Sequence, residues 1–240
     1  MTRRLDPLIV LIAALSLWQL AWYAAGDTAL ASPKATLARL LTLAARPAFQ
    51  QEALGTATAF LAAASLSITA GILLGATLGL NRLAGRVVEP VLTSLYALPK
   101  VTLYPVVLLL FGLGPSAKIA FGIMHGLIPI ALVTMNAVLT IPRIHLRTAA
   151  SLRLSRPHLL AHIVWPAIRP EILSGLRIGV PLTLLGVLIG EMFASRHGLG
   201  AIAMRAMETN DTPTLMAVTV LLSAAALTVN AALGTLTKQR

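Results

Sequence analysis

The sequence predicts an all-α, polytopic membrane protein with six transmembrane helices, and three observations predict it. First, 57% of the 240 residues are hydrophobic and only 11% are charged, where a soluble domain carries about 25%. Lipid is therefore the solvent for most of the chain. Second, six apolar stretches are each long enough to cross a bilayer as a helix. Third, the basic residues collect at the ends of those stretches. The net charge of +11 thus follows the positive-inside pattern of membrane topology rather than a nucleic-acid-binding stripe. The absence of cysteine excludes a disulfide framework and a cysteine-ligated metal.

The first span is Leu8–Ala25, with Trp18, Trp22 and Tyr23 as anchors near its outer end. Arg3-Arg4 before it and Ala29-Leu30-Ala31 after it resemble a signal peptide and its cleavage site. At 18 residues, roughly 27 Å as a helix, the stretch is longer than a usual signal core and is expected to be retained. Gly26–Gln51 is polar enough to leave the bilayer, and Thr36–Ala45 has apolar residues at helical spacing, which predicts a short surface helix. The second span, Ala53–Leu80, carries Gly71, Gly75 and Gly79 on one face. This flat stripe admits close approach of another backbone, within this chain or at a subunit interface.

A short loop, Asn81–Glu89, leads to the third span, Pro90–Gly112. Pro99 and Pro105 each remove a helix hydrogen bond, so this span is expected to be kinked or broken. Gly112-Leu113-Gly114-Pro115 reads as a tight turn. The fourth span is Ala117–Ile141, the fifth Ile172–Ser195 and the sixth Pro213–Leu236, with a polar loop at 142–171 and another at Arg196–Thr212. The whole of 1–240 reads as one transmembrane domain.

Six spans put both termini on one side. With Arg3 inside, that side holds Arg3, Arg4, Arg82, Arg86, Arg143, Arg147, Arg153, Arg156, Arg169, Arg177, Lys238 and Arg240. The other side holds Lys34, Arg39, Arg46, Lys118, Arg196 and Arg205. The bias is two to one and predicts cytoplasmic termini, with the 142–171 loop also in the cytoplasm.

That loop carries the most informative residues. Ile163-Val164-Trp165-Pro166, with Arg147-Thr148-Ala149 upstream, resembles the cytoplasmic loop of ATP-binding-cassette (ABC) importer permeases, whose pattern is Glu-Ala-Ala, three residues, Gly, nine residues, Ile-x-Leu-Pro. Further runs fit the same family: Leu98-Pro99-Lys100, Tyr104-Pro105, Phe111-Gly112-Leu113-Gly114, Gly175-Leu176-Arg177, and Gly190-Glu191-Met192 through Gly198-Leu199-Gly200. Together they resemble its nitrate/sulfonate/taurine branch over roughly residues 32–235. Two of the most characteristic positions depart from the pattern, Arg147 for the Glu and Arg153 for the Gly. A residue with a Cβ in the left-handed turn a glycine allows costs about 1–2 kcal/mol, so the turn is either built differently or moved to Leu154–Ser155.

Ser155 can cap a short helix with Arg156 and Pro157 in its first turn. The helix is expected over His158–Trp165, ending before Pro166, with Leu159, Leu160 and Ile163 on its apolar face. The resemblance implies that this is a coupling helix seated on an ATPase subunit, with Arg147, Ala149, Arg153, Ser155, Arg156, His158, Leu159, Ile163 and Pro166 in the docking segment. The alternative is a basic helix lying on anionic lipid. His158 and His162 have a spacing that could hold zinc but lack a third ligand, so no metal is expected.

Ionisable residues inside spans are functional candidates. Lys100 lies near the middle of the third span, after Pro99, and could attract an anion, pair internally or snorkel. Tyr96, Tyr104, Asn136 and Glu191 complete the candidate path. Glu191 and Lys118 match in depth and could pair. His125 is expected to be a hydrogen-bonded packing residue rather than a proton relay.

No Gly-x4-Gly-Lys-Ser/Thr motif and no spaced nucleophile and base are present, so the chain is expected not to be an enzyme and to hold no cofactor. The resemblance implies separate partners that bind ATP and Mg, two ATPase subunits, a periplasmic or lipid-anchored solute-binding protein, and a second permease copy. It also implies an importer in a bacterial inner membrane, carrying a small anionic solute. An importer of another solute, such as a thiamine-precursor pyrimidine, is an alternative. So is a secondary transporter driven by an ion gradient, although that would need an internal repeat and several buried ionisable groups.

Overall fold

The computed structural model describes residues 6–142, 144–145, 149, 151–152 and 154–237. Helix α1 is Asp6–Ala25, α2 is Pro33–Ala44 and α3 is Pro47–Leu80. Both α2 and α3 begin on a proline, where the missing N–H costs nothing. Ser32 caps α2 by accepting the Ala35 N–H at 3.2 Å. The third helix thus starts six residues before the predicted Ala53.

The predicted Asn81–Glu89 loop is instead the first half of α4, Arg82–Ala97. Asn81 explains it: its side chain accepts the N–H groups of Leu83 and Ala84 at 3.1 and 3.2 Å, and so starts a helix at once. The helix stops where Leu98, forced extended by the following Pro99, cannot remain helical. A 3₁₀ turn, Lys100–Leu103, then leads into α5, Tyr104–Phe111. The two arms meet at 89°. Pro99 therefore supplies the expected break, while Pro105 sits harmlessly in the first turn of α5. Gly112 and Gly114 take positive φ of 72° and 148° in the tight turn before α6, Pro115–Leu139.

Helix α6 is the centre of the molecule. It runs parallel to α3 and antiparallel to the long helix that ends at Ala194, packed between the two. Glycines bring all three close. A Cβ at Gly71 would lie 2.9 Å from the Ile130 Cβ, and one at Gly79 would lie 2.6 Å from the Val138 Cβ. Gly75 sits against the α6 backbone at Ala131. The stripe Gly71, Gly75 and Gly79 thus faces a helix of its own chain. A second set, Gly175, Gly179, Gly186 and Gly190, does the same from the other side against Val133, Ile130, Phe121 and Lys118. Phe121, Ile130 and Met135 are fully buried between them.

The largest departure from expectation lies at 156–171. The chain turns helical at Arg156–Leu159, passes through a π turn at Leu160–Val164, and continues without a stop into α7, Trp165–Ala194. The helix does not end before Pro166. In the π turn the Trp165 N–H reaches the Leu160 carbonyl five residues back. This widened turn accommodates a proline at the start of the next segment, where no N–H is required. The predicted second loop, Arg196–Thr212, contains α8, Leu199–Glu208, and the chain ends with α9, Thr212–Thr237.

Among the described residues, four helices are long and apolar enough to cross a membrane: α3, α6, Pro157–Ala194 and α9. The bent α4–α5 pair makes a fifth if read as one broken span, and Ile9–Ala25 of α1 is a shorter apolar helix. No strand occurs among the described residues. The chain is an all-α polytopic membrane protein.

At the end of the molecule where α3 and α9 begin, Asp211 ties α2 to α9. It accepts the Thr214 N–H and hydroxyl at 3.1 and 2.6 Å and pairs with Arg39 at 3.0 Å. Burial works to raise this carboxyl, but those bonds outweigh it and hold Asp211 below the ordinary aspartate value.

Candidate functional site

Three places hold the candidate residues. The first is the start of the long helix. The Leu159 N–H donates to the Ser155 carbonyl at 2.9 Å, which makes Ser155 the residue before the helix. Its hydroxyl lies 2.9 Å from His158 Nδ1, a side-chain partner rather than the backbone cap the sequence suggests. His158 and His162 stack at 5.5 Å with rings 11° apart. Leu159 and Ile163 are half-buried, while Leu160 and Pro166 are exposed. Val164 inserts into a cluster with Ala137, Val138, Ile141, Ile168 and Ile172. One face of the turn thus welds the helix start to the end of α6, and the other is free. Ala149 is buried, and its carbonyl accepts the Leu154 N–H at 3.0 Å. Arg147 and Arg153 lie outside the described residues. No group of three His, Cys, Asp or Glu side chains able to hold a metal occurs among the described residues.

The second place is the elbow between α4 and α5. Lys100 is 9% exposed. Its ammonium donates to the Tyr96 carbonyl at 2.9 Å and lies 5.1 Å from the Tyr96 ring centre. A cation against the last carbonyls of α4 is favourable. No carboxylate pairs with it among the described residues. Tyr96 is thus with Lys100, but Tyr104 is not. The Tyr104 hydroxyl donates to the Gly190 carbonyl at 2.8 Å, and its ring packs edge-on to Phe121 at 4.8 Å. His125 continues that stack and places Nδ1 2.9 Å from the Phe121 carbonyl oxygen, which fits a packing role. Asn136 is exposed and lies about 27 Å along α6 from Lys118, 18 residues at the helical rise.

The third place joins the beginnings of α3, α6 and α8 to the end of α7. Glu191 is fully buried. Lys118 reaches its Oε1 at 2.8 Å, the pairing their depths suggest. The Gly200 N–H reaches Oε2 at 3.0 Å, and the Thr56 hydroxyl lies 3.0 and 2.9 Å from the two oxygens. Thr56 also accepts the Leu199 N–H at 2.8 Å. Glu52 accepts the Gly198 N–H and lies 3.0 Å from His197 Nδ1. Sequence reasoning missed Glu52, Thr56 and His197. The available signal was the Gly198-Leu199-Gly200 run close after Glu191, whose free N–H groups need acceptors.

Residues 67–239 match the family model described as the binding-protein-dependent transport system inner membrane component. Curated relatives agree. The taurine transport system permease protein TauC of Escherichia coli strain K12 is 27% identical over 77% of this chain and 69% of its own length. The formylaminopyrimidine transport permease protein ThiX of Halalkalibacterium halodurans is 30% identical over 66% of this chain and 64% of its own. The nitrate import permease protein NrtB of Synechococcus elongatus is 29% identical over 56% of this chain and 48% of its own. The matched segment therefore spans from about half to about two thirds of these relatives. A family model that takes in α6, α7, α8 and α9 together with the end of α3 leaves one assignment: the chain belongs to the family of inner membrane components of binding-protein-dependent transport systems.

Proposed function

We propose that this chain is the permease subunit of an ATP-driven importer and carries a small anionic solute of the sulfonate, taurine or nitrate type. In this reading two copies line the path, two ATPase subunits seat the Ser155–Pro166 turn, and a solute-binding protein delivers from the other side. Both termini and the 142–155 segment face the cytoplasm, consistent with the distribution of Lys and Arg. Catalysis of ATP hydrolysis, with its Mg, belongs to the partner subunits, and this chain contributes no catalytic residue.

The observation that carries the solute class is Lys100, a buried cation at the elbow of a broken span. Burying a charge is costly unless a partner compensates it. The Tyr96 carbonyl supplies one acceptor, and an oxyanion would supply the opposite charge. Relatives whose names specify taurine and nitrate transport support the same class. The free face of the π turn, with exposed Leu160, His158 and His162, supports the docking assignment. It is continuous with α7, so a push on it is carried into that helix. The ThiX relative favours one second reading, a formylaminopyrimidine-type solute.

The test is reconstitution of this chain with candidate ATPase subunits and a solute-binding protein. ATP hydrolysis that responds to substitutions across Ser155–His162, and ATP-dependent uptake of labelled taurine or nitrate rather than a pyrimidine, are the expected results. An ATPase that neither co-purifies nor responds would remove the coupling assignment.

A further inference from the structure

The first turn of a helix leaves its N–H groups without partners inside the helix. In α8 these groups are met from other helices. Successive N–H groups of Gly198, Leu199 and Gly200 go to Glu52, to Thr56 and to Glu191. Two of these acceptors stand one turn apart on α3, and the third comes from the last turn of α7. Lys118, from the first turn of α6, neutralises Glu191. Four helices are thus joined by one continuous polar chain in which each member has a partner. Its inner part is sealed, with Glu191 and Thr56 at 0% and 3% exposure. The fit is tight. Gly198 holds φ of 109°, and any Cβ there would strike the Glu191 carboxylate. A Cβ at Gly200 would lie 2.7 Å from the Glu191 Cβ.

We propose that Glu52, Thr56 and Glu191 form a clasp that fastens α8 across the ends of α3, α6 and α7, and that Glu191 with Lys118 positions this helix rather than touching solute. The Glu191 carboxylate is fully buried and already accepts from Lys118, Thr56 and Gly200, so it is not open to a passing ligand. The end of the molecule that carries α8 therefore moves as one body, whatever the solute, and α8 opens only when the clasp is broken.

The chain contains no cysteine, so single reporters can be placed directly. Ala201 lies on the covered face of α8 at 3% exposure, and Met207 on its open face at 50%. The experiment measures labelling of Ala201→Cys and Met207→Cys in the full-length chain in membranes with a charged maleimide. In the otherwise unaltered chain Ala201→Cys labels far more slowly than Met207→Cys. Adding Glu191→Gln speeds Ala201→Cys labelling by about 10-fold or more, since a charge-assisted bond to an amide is lost and local opening follows. Thr56→Val, which leaves no charge unpaired, gives a smaller increase in the same direction and serves where Glu191→Gln does not fold. Lys118→Met also speeds labelling, and Glu191→Gln added to it partly reverses the effect.

Ala201→Cys labelling that is unchanged in both the Glu191→Gln and Thr56→Val backgrounds overturns the clasp. So does equal labelling of the two reporters in the unaltered chain, or a shift in uptake KM for Glu191→Gln with labelling unmoved. The labelling needs neither ATPase nor solute, so its failure leaves the transport reading standing.

Discussion

Two lysines in the membrane-embedded part of this protein have opposite surroundings. Lys118 is 6% exposed and bonded to a carboxylate that is itself held by a threonine and a backbone amide. Lys100 is equally withdrawn at 9%, yet has one carbonyl and an aromatic face as company. Both are costly to bury. The first cost is offset inside the fold, so its residues are explained by structure. The second is not fully offset by the described residues, and that remainder is available to a ligand. The contrast teaches that depth alone does not identify a transport residue. What makes Lys100 the proposed solute contact is depth without a counter-charge among the described residues.

This contrast can be broken by removing each charge in turn. The largest loss of stability is expected from Lys118→Met, which strands the buried Glu191 carboxylate. Removal of one partner of a buried pair costs about 3–5 kcal/mol, read as a lower unfolding temperature of the purified protein in detergent. Glu191→Gln in the same chain should recover part of that loss. Gly79→Val comes next. Its added side chain meets Val138 on α6, and overpacking of this kind costs about 1–3 kcal/mol, measured in the same way. Lys100→Met should change the unfolding temperature little or raise it, because no carboxylate is left stranded.

The smallest effect is that of pH on the Arg39–Asp211 tie. The folded-state pKa of Asp211 is depressed, so its contribution is fully present above the unfolded aspartate value. It is lost as pH falls through the depressed folded value. Asp211→Asn should flatten that acid limb of a stability-versus-pH curve. The change is modest, because both partners are about one third exposed, at 33% and 34%, and solvent screens them.

The same contrast separates what could be read in the sequence from what could not. Signals that depend on neighbours in the chain were legible. The apolar run 117–141 became α6, the helical spacing of Thr36–Ala45 became most of α2, and Pro99 broke the third span. Lys118 and Glu191 could be matched because depth in a bilayer is itself a coordinate. Signals that depend on a neighbour elsewhere were not legible. Pro166 reads as a helix stop, and only the π turn ahead of it lets the helix continue. Arg196–Thr212 reads as a loop because the first turn of α8 has no local cap. Two of its three acceptors, Glu52 and Thr56, stand more than a hundred residues upstream, and the third, Glu191, lies at the end of another helix. Gly175, Gly179, Gly186 and Gly190 recur 4, 7 and 4 residues apart on one helix face, but only the fold shows that this face lies against α6.

The most direct measurement is ATP-dependent uptake of labelled taurine by the reconstituted complex, comparing the unaltered permease with Lys100→Met at matched amounts of folded protein. Lys100→Met should reduce uptake to about a tenth or less, the effect of removing one charge-assisted contact, while its unfolding temperature is maintained. Uptake unchanged by Lys100→Met, or uptake that proceeds without ATP, would contradict the assignment of the unpaired cation to an anionic solute in an ATP-driven path.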